Sequence, residues 1–361
     1  MFTTKPHSWR RNLFVGTILL AFLVMGSPQS TALILFDDAH LYNRAARMTG
    51  VTRPNRYARR IIVFGDSLSD SEGRLAAYTQ GVMPPSPFYW QHRLSNGPLW
   101  SEYLAAALSL PLVSYAVAGA RLSQYNNYGF MPDALSHLWA PPFAHQRESL
   151  DQDGVRFDAD DLVFLWIGNN DFLFSPYPPD GENYCDSTLA AVADLRQRGA
   201  RRLVTLGVND VSLTPFSRRG GSGVGTDDLR HLTEHHNSCV AGRLKALQAQ
   251  NPGEHLDFIS LSGIAHHIIS HPQNYSLSDT ENPCLTSSTW PTITIPFPPL
   301  PPFIFGHLFG SCPEQNSHFF WDAWHPNTII HCIATLEVLK QLGLLGRITP
   351  FDEDPVSKRC F

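Results

Sequence analysis

The run Ile61 to Asp70, IIVFGDSLSD, constrains this chain more than any other stretch, because an apolar, mostly β-branched segment stops abruptly at Gly65-Asp66-Ser67. A strand that breaks into so tight a turn delivers one hydroxyl to the carboxyl end of a sheet, where open α/β folds bind their ligands. Ser67 is therefore the first candidate nucleophile. The competing reading is ordinary turn chemistry, since Asp and Ser readily bond their own backbone after a strand.

A second constellation lies near the other end, Phe319 to Asn327, FFWDAWHPN. Pro326 favours an extended residue before it, so Asp322 and His325 are expected on a loop. Such spacing lets a carboxylate and an imidazole serve one nucleophile: His325 as base, Asp322 as the group that orients it. The alternative is a capping Asp beside a solvated His. Two segments between these ends supply what an acyl-transfer site still lacks. Ser114 to Ala120, SYAVAGA, reads as a strand end entering a small-residue turn at Gly119, where a backbone N–H can approach a substrate oxygen. Asp161 to Asp171, DLVFLWIGNND, reads as a buried strand ending at Gly168, with Asn169 and Asn170 just beyond it. A side-chain amide and backbone N–H groups together make an oxyanion hole. Turn propensity alone is the other reading of Gly119 and the asparagines.

Taken in order, these four segments resemble the four blocks of the SGNH or GDSL hydrolase superfamily. The resemblance implies that Ser67 is the nucleophile, that Asp322 and His325 complete a triad, and that the Ser67 N–H, Gly119 and Asn170 form the oxyanion hole. Within the superfamily the chain is similar to the bacterial phospholipase and glycerophospholipid:cholesterol acyltransferase group. That likeness rests on GDSLSD, on Asn96-Gly97-Pro98-Leu99-Trp100, on WIGNNDF and on WDAWHPN, and it spans about residues 60 to 340. Ser114 stands where this group commonly has Asn, and Ala118 where Gly is frequent. Both departures keep the backbone N–H and bear on acyl chain length.

Lys5, Arg10 and Arg11 precede an apolar run from Leu13 to Met25 and a small-residue stretch to Ala32, the pattern of a secretory signal peptide. The run is shorter than the roughly 18 apolar residues of a spanning helix, although an uncleaved anchor is the alternative. A net charge of -5 gives no electrostatic reason to expect nucleic-acid binding. Basic residues at Arg53, Arg56, Arg59 and Arg60 read as a solvated flank or a lipid-headgroup contact.

Export makes Cys185, Cys239, Cys284, Cys312, Cys332 and Cys360 candidates for disulfides, with the pairing left open by sequence except in one place. Cys284 and Cys312 bracket the Pro-rich stretch TWPTITIPFPPLPPFIFGHLFG, which suits neither a helix nor a central strand. Closed by a disulfide, this stretch reads as a lid near the acyl site or as an ordinary surface insertion. By resemblance to related acyltransferases, a protease could nick such a loop to activate the enzyme. His231 to His235 matches an H-x-x-E-H zinc pattern, but no third ligand is evident and a competing site is complete. The Gly-rich segment Arg219 to Gly225 lacks the Lys and the spacing of a phosphate loop and reads as a connection.

Strand-like runs at Arg60–Gly65, Leu112–Val117, Leu162–Ile167, Arg202–Leu206 and Leu256–Leu261 alternate with helical candidates at Leu99–Leu108, Leu189–Arg198, Leu229–Gln250 and Thr328–Leu342. That alternation predicts an α/β fold, a three-layer α/β/α sandwich; its five-stranded parallel sheet and flavodoxin-like order follow from the resemblance. Expected boundaries are a signal peptide over 1–32, an N-terminal segment over 33–59, a hydrolase domain over 60–345 and a tail over 346–361, with insertions at Tyr125–Pro142 and Asn274–Ser317. The resemblance implies a secreted serine lipolytic enzyme acting on phospholipids and lysophospholipids. Cholesterol would be a possible acyl acceptor, with peripheral membrane contact and no metal or organic cofactor. A short-chain carboxylesterase, a carbohydrate O-acetylesterase and a catalytically silent lipid-binding protein are the alternatives.

Overall fold

Runs of β-branched and aromatic residues bounded by Gly, Pro and Asp become the strands of a parallel sheet. In this computed structural model the described residues are 57–81, 83–84, 88–122, 142–177, 183–285 and 311–345. The chain runs β1 (Ile61–Gly65), α1 (Arg74–Tyr78), α2 (Trp100–Leu108), β2 (Leu112–Ser114), α3 (Phe143–Gln152) and β3 (Leu162–Trp166). It continues with α4 (Asn169–Phe174), α5 (Tyr184–Gln197), β4 (Arg202–Leu206), α6 (Pro215–Arg218), α7 (Thr226–Gln250) and β5 (His255–Ile259). The last elements are α8 (Ser262–Ser270), β6 (Asp279–Pro283), β7 (His318–Phe320) and α9 (Thr328–Gln341). The first five strands form one parallel sheet in the order β2-β1-β3-β4-β5. Fold class, strand count and order agree with the sequence reading.

Alternation along the strands builds two cores. Ile61, Val63, Phe164, Trp166, Val204 and Ile259 face α2 and α9, through Trp100, Leu104, Val338 and Leu339. Ile62, Phe64, Val163, Leu165 and Leu203 face α3, α5 and α7, through Phe143, Leu150, Val192, Leu195, Val240 and Leu244. Each such side chain contributes about 1.5–3 kcal/mol by leaving water, so β1 and β3, buried along their whole length, are held rigidly. A buried polar pin sets their entry: the Arg60 guanidinium donates to both oxygens of fully buried Asp161, at 3.0 and 2.9 Å. Arg59 pairs with Asp158 at 2.9 Å. Arg60 thus pins the strand entrance, whereas Arg59 is exposed and pairs at the surface, as a solvated flank would.

Some boundaries differ from expectation for local reasons. Strand β2 ends at Ser114, yet its backbone bonding to β1 continues, with Tyr115 N–H donating to Val63 (2.7 Å) and Val117 N–H to Gly65 (3.1 Å). Helix α5 begins at Tyr184, ahead of the predicted Leu189, because the Asn183 side chain caps it by accepting the Cys185 N–H at 2.9 Å. The expected insertion Asn274–Ser317 contains the β6 segment DTENP, which pairs in parallel with β7 despite its poor strand propensity. A disulfide joins Cys185 of α5 to Cys239 of α7, a second joins Cys284 to Cys312, and Cys332 is also disulfide-bonded. The expected signal peptide over 1–32, residues 33–56 with Arg53 and Arg56, the expected insertion from Tyr125 to 141, the interior 286–310 of the expected lid, and the expected tail with Cys360 lie outside the described residues.

Candidate active site

Ser67 sits where β1 turns out of the sheet, and neighbouring elements leave that turn little freedom. A Cβ on Gly65 would lie 2.5 Å from the Trp166 carbonyl oxygen on β3, so only glycine fits. Fully buried Gln146 of α3 grips the same residue at both backbone groups, accepting the Gly65 N–H at 2.9 Å and donating to its carbonyl at 2.7 Å. Fully buried Asp66 accepts the Leu68 N–H (3.1 Å) and the Asn169 amide (2.9 Å). Burial pushes the Asp66 carboxyl up to about 6, and those hydrogen bonds oppose the rise. Asp70 heads α1 by accepting the N–H groups of Arg74 (2.7 Å) and Leu75 (3.0 Å), and reaches across to the Ala118 N–H at 3.0 Å. Through Asp70 the Ser67 turn and the Gly119 turn are one unit.

The loop that carries Asp322 and His325 leaves β7 at Phe320 and is closed by the Trp321 N–H donating to the His325 carbonyl at 2.8 Å. His325 Nε2 lies 2.9 Å from Ser67 Oγ, and Nδ1 lies 2.7 Å from Asp322 Oδ2. The carboxylate holds the imidazole proton at Nδ1 and leaves Nε2 to accept from the hydroxyl. Asp322 is fully buried, whereas Ser67 keeps 6% and His325 9% of its surface. Asp322 Oδ1 also accepts the N–H groups of Trp324 and His325, each at 2.8 Å, and Oδ2 accepts the Tyr89 hydroxyl at 2.8 Å. Burial pushes the Asp322 carboxyl up, but the neighbouring imidazole and these donors outweigh it and hold the group below its ordinary value.

The Asn96–Trp100 segment joins the two halves. Asn96 accepts the Thr328 N–H at 2.9 Å, Thr328 Oγ1 donates to the Pro98 carbonyl at 2.9 Å, and Trp100 Nε1 donates to Ser69 Oγ at 3.0 Å. Gly97 is confined by that docking, since a Cβ there would lie 2.6 Å from Thr328 Oγ1.

Gly119 takes a positive φ of 82° at the turn after β2. Chain exit from β3 is sharper: Gly168 has φ 116°, and a Cβ would meet Val208 at 2.9 Å and Leu122 at 3.1 Å. Asn170 follows in the first turn of α4 and donates from Nδ2 to the Ala120 carbonyl at 2.9 Å. One amide hydrogen thereby ties Asn170 to the Gly119 turn, and the second makes no hydrogen bond among the described residues. The structure thus brings Ser67, His325 and Asp322 into one hydrogen-bonded chain and links Gly119 to Asn170 by way of Ala120. Sequence reasoning missed Gln146, Tyr89, Asn169 as the partner of Asp66, and the long reach of Asp70. Among the described residues, one grouping has potential metal ligands close together, Cys284, Cys312 and His318, and both its sulfurs are in a disulfide. His231 and His235 lie on α7 and join no such grouping.

The order and geometry of these blocks agree with comparison to known families. The sequence model described as GDSL-like Lipase/Acylhydrolase matches residues 61–333, most of the chain. The chain belongs to this family. As a member of the GDSL family it is an ester-acting enzyme of the lipase/acylhydrolase class. A phosphatidylcholine-sterol acyltransferase of Aeromonas hydrophila is 27% identical over 308 residues, covering 75% of this chain and 86% of the relative. The secreted effector protein SseJ of Salmonella typhimurium is 23% identical over 235 residues, covering 62% and 52%. A thermolabile hemolysin of Vibrio parahaemolyticus is 23% identical over 319 residues, covering 86% and 70%. The two disulfides seen in full fit an extracellular protein. No helix among the described residues is long and apolar enough to cross a membrane.

Proposed function

We propose that this GDSL-family protein is a secreted serine lipolytic enzyme that cleaves acyl esters of phospholipids and lysophospholipids through an acyl-Ser67 intermediate, and transfers part of the acyl flux to cholesterol. The observation that carries the reading is the unbroken chain from Ser67 Oγ to His325 Nε2 (2.9 Å) and from Nδ1 to Asp322 (2.7 Å). In the first step the Ser67 proton passes to Nε2 as Oγ attacks the ester carbonyl carbon. The oxyanion is received by the Ser67 N–H, the Gly119 backbone and the second amide hydrogen of Asn170; losing one such donor typically costs about 100- to 1000-fold in turnover. The imidazolium, stabilised by Asp322, protonates the departing alcohol. Water or a sterol hydroxyl then gives its proton to Nε2, attacks the acyl carbon and releases Ser67. Support for the lipid substrate and the sterol acceptor comes from the likeness to the Aeromonas phosphatidylcholine-sterol acyltransferase.

The test is to incubate the purified protein and Ser67→Ala with phospholipid and lysophospholipid vesicles that carry labelled acyl chains and cholesterol. Ser67-dependent fatty acid together with cholesteryl ester is the expected result. Fatty acid without ester would reduce the protein to a phospholipase. Rapid cleavage of soluble short esters without lipid turnover would replace the reading with a carboxylesterase or carbohydrate O-acetylesterase.

A further inference from the structure

Beyond Ser67 and His325, one side chain among the described residues hydrogen-bonds Asp322. Tyr89, 4% exposed, donates its hydroxyl to Asp322 Oδ2 at 2.8 Å, on the same oxygen that receives His325 Nδ1 at 2.7 Å. Its ring is fixed in an apolar cluster with Leu75, Met83, Leu94, Leu285 and Trp321, so the hydroxyl is presented without rotamer choice. The turn that follows closes through the Trp90 N–H donating to the Ser95 carbonyl at 3.0 Å. Ser95 Oγ in turn donates to the Pro326 carbonyl at 3.0 Å. One short segment therefore clasps the acid–base loop at both ends, by Tyr89 on the side chain of residue 322 and by Ser95 on the backbone of residue 326.

We propose that Tyr89 is a positioning residue that orients the Asp322 carboxylate toward His325 and tempers its pull on the imidazolium. This rests on the reading of Ser67, His325 and Asp322 as a triad. A hydroxyl donor on the shared oxygen draws charge away from Nδ1, because a hydrogen bond to a carboxylate stabilises its charged form. Removing that donor lets the carboxylate hold the imidazole proton more tightly. A more acidic donor does the reverse. Other titratable groups near the pair are Asp66, pushed up to about 6 by burial, and His331, pushed down to about 3 by burial and by the charge of His325. Both are common to all variants compared.

Two substitutions test this in opposite directions: Tyr89→Phe, and 3-fluorotyrosine incorporated at position 89. With Tyr89→Phe the acid limb of kcat/KM is expected to move up by about half a pH unit, and kcat to fall about tenfold with KM nearly unchanged. With 3-fluorotyrosine the acid limb moves down, and this single-atom change reads out the proposal even if the Phe variant does not fold. A purely structural tyrosine would lower thermal stability and leave the limb in place for both, which overturns the proposal, as does a shift of both in one direction. The same pair of substitutions made in Ser67→Ala, with the His325 ring followed by NMR titration, separates this idea from the nucleophile assignment. A midpoint that moves with residue 89 while Ser67→Ala keeps its turnover sinks the nucleophile and keeps Tyr89. An unmoved midpoint in an inactive Ser67→Ala background sinks Tyr89 alone.

Discussion

Replacing Gln146 by Leu removes two hydrogen bonds and almost no volume, which makes its cost calculable. The Gly65 N–H loses its acceptor at 2.9 Å and is left unpaired in a fully buried turn, while the Gly65 carbonyl loses the Gln146 donor at 2.7 Å but keeps the Val117 N–H at 3.1 Å. A net hydrogen bond is worth about 0.5–1.5 kcal/mol, and an orphaned buried donor costs about 1–3 kcal/mol. The carbonyl loss falls at the low end of the first range and the amide loss within the second, so Gln146→Leu is expected to destabilise the fold by about 1.5–3.5 kcal/mol. Urea unfolding at neutral pH measures this as a lower midpoint with an unchanged slope. Turnover should fall as well, because Gly65 positions the two residues after it. Gln146→Ala adds a cavity and should cost roughly 2–5 kcal/mol more. A loss below about 0.5 kcal/mol for the Leu variant would refute the view that this amide holds the nucleophile turn.

Gly97→Ala would drive a Cβ to 2.6 Å from Thr328 Oγ1 and lever the Asn96–Trp100 segment off the start of α9; we expect kcat to fall at least tenfold with KM little changed, checked by steady-state kinetics on a soluble ester. Asp66 supplies a pH signature. Its folded carboxyl titrates near 6 against an ordinary value of 3.8, so its contribution is fully present below about pH 4 and is lost as pH rises toward 6. Relative to the parent, Asp66→Asn should therefore gain about 2–3 kcal/mol of stability between pH 4 and pH 7, measured by urea unfolding across that range. A flat difference would contradict the burial argument. The comparison must be made as a difference, because burial pushes His236 down to about 4 and His331 down to about 3, and both destabilise the parent on acidification.

Strand pattern carried most of the fold into view. Ile61–Phe64 and Leu162–Trp166 are continuous apolar runs ended by glycine, and such runs are legible because burial on both faces of a parallel sheet demands them. Ser67 and His325 are legible as candidates because each sits at a local punctuation mark, a strand end or a residue before proline, and Asp322 is legible as a candidate through its spacing to His325. Gln146 was not, because FAHQRESLDQ is polar enough to pass for a surface segment, and its amide has a purpose only once β1 ends beside it. Tyr89 was missed for a similar reason, since nothing within its own stretch of chain points to a carboxylate 233 residues away. The Cys185–Cys239 pairing depends on how α5 packs on α7, which spacing does not encode. Strand β6 was hidden because DTENP has the composition of a turn and is held in place by its neighbour β7.

Every step proposed for this site depends on Ser67 carrying the acyl group. The most direct test is to mix the enzyme with an activated ester, quench in acid within the first turnovers and weigh the peptides. An acyl-Ser67 intermediate predicts the mass of one acyl group on the peptide that contains Ser67, absent from Ser67→Ala and forming far more slowly in His325→Ala. Acylation of another residue, or undiminished turnover by Ser67→Ala, would contradict it.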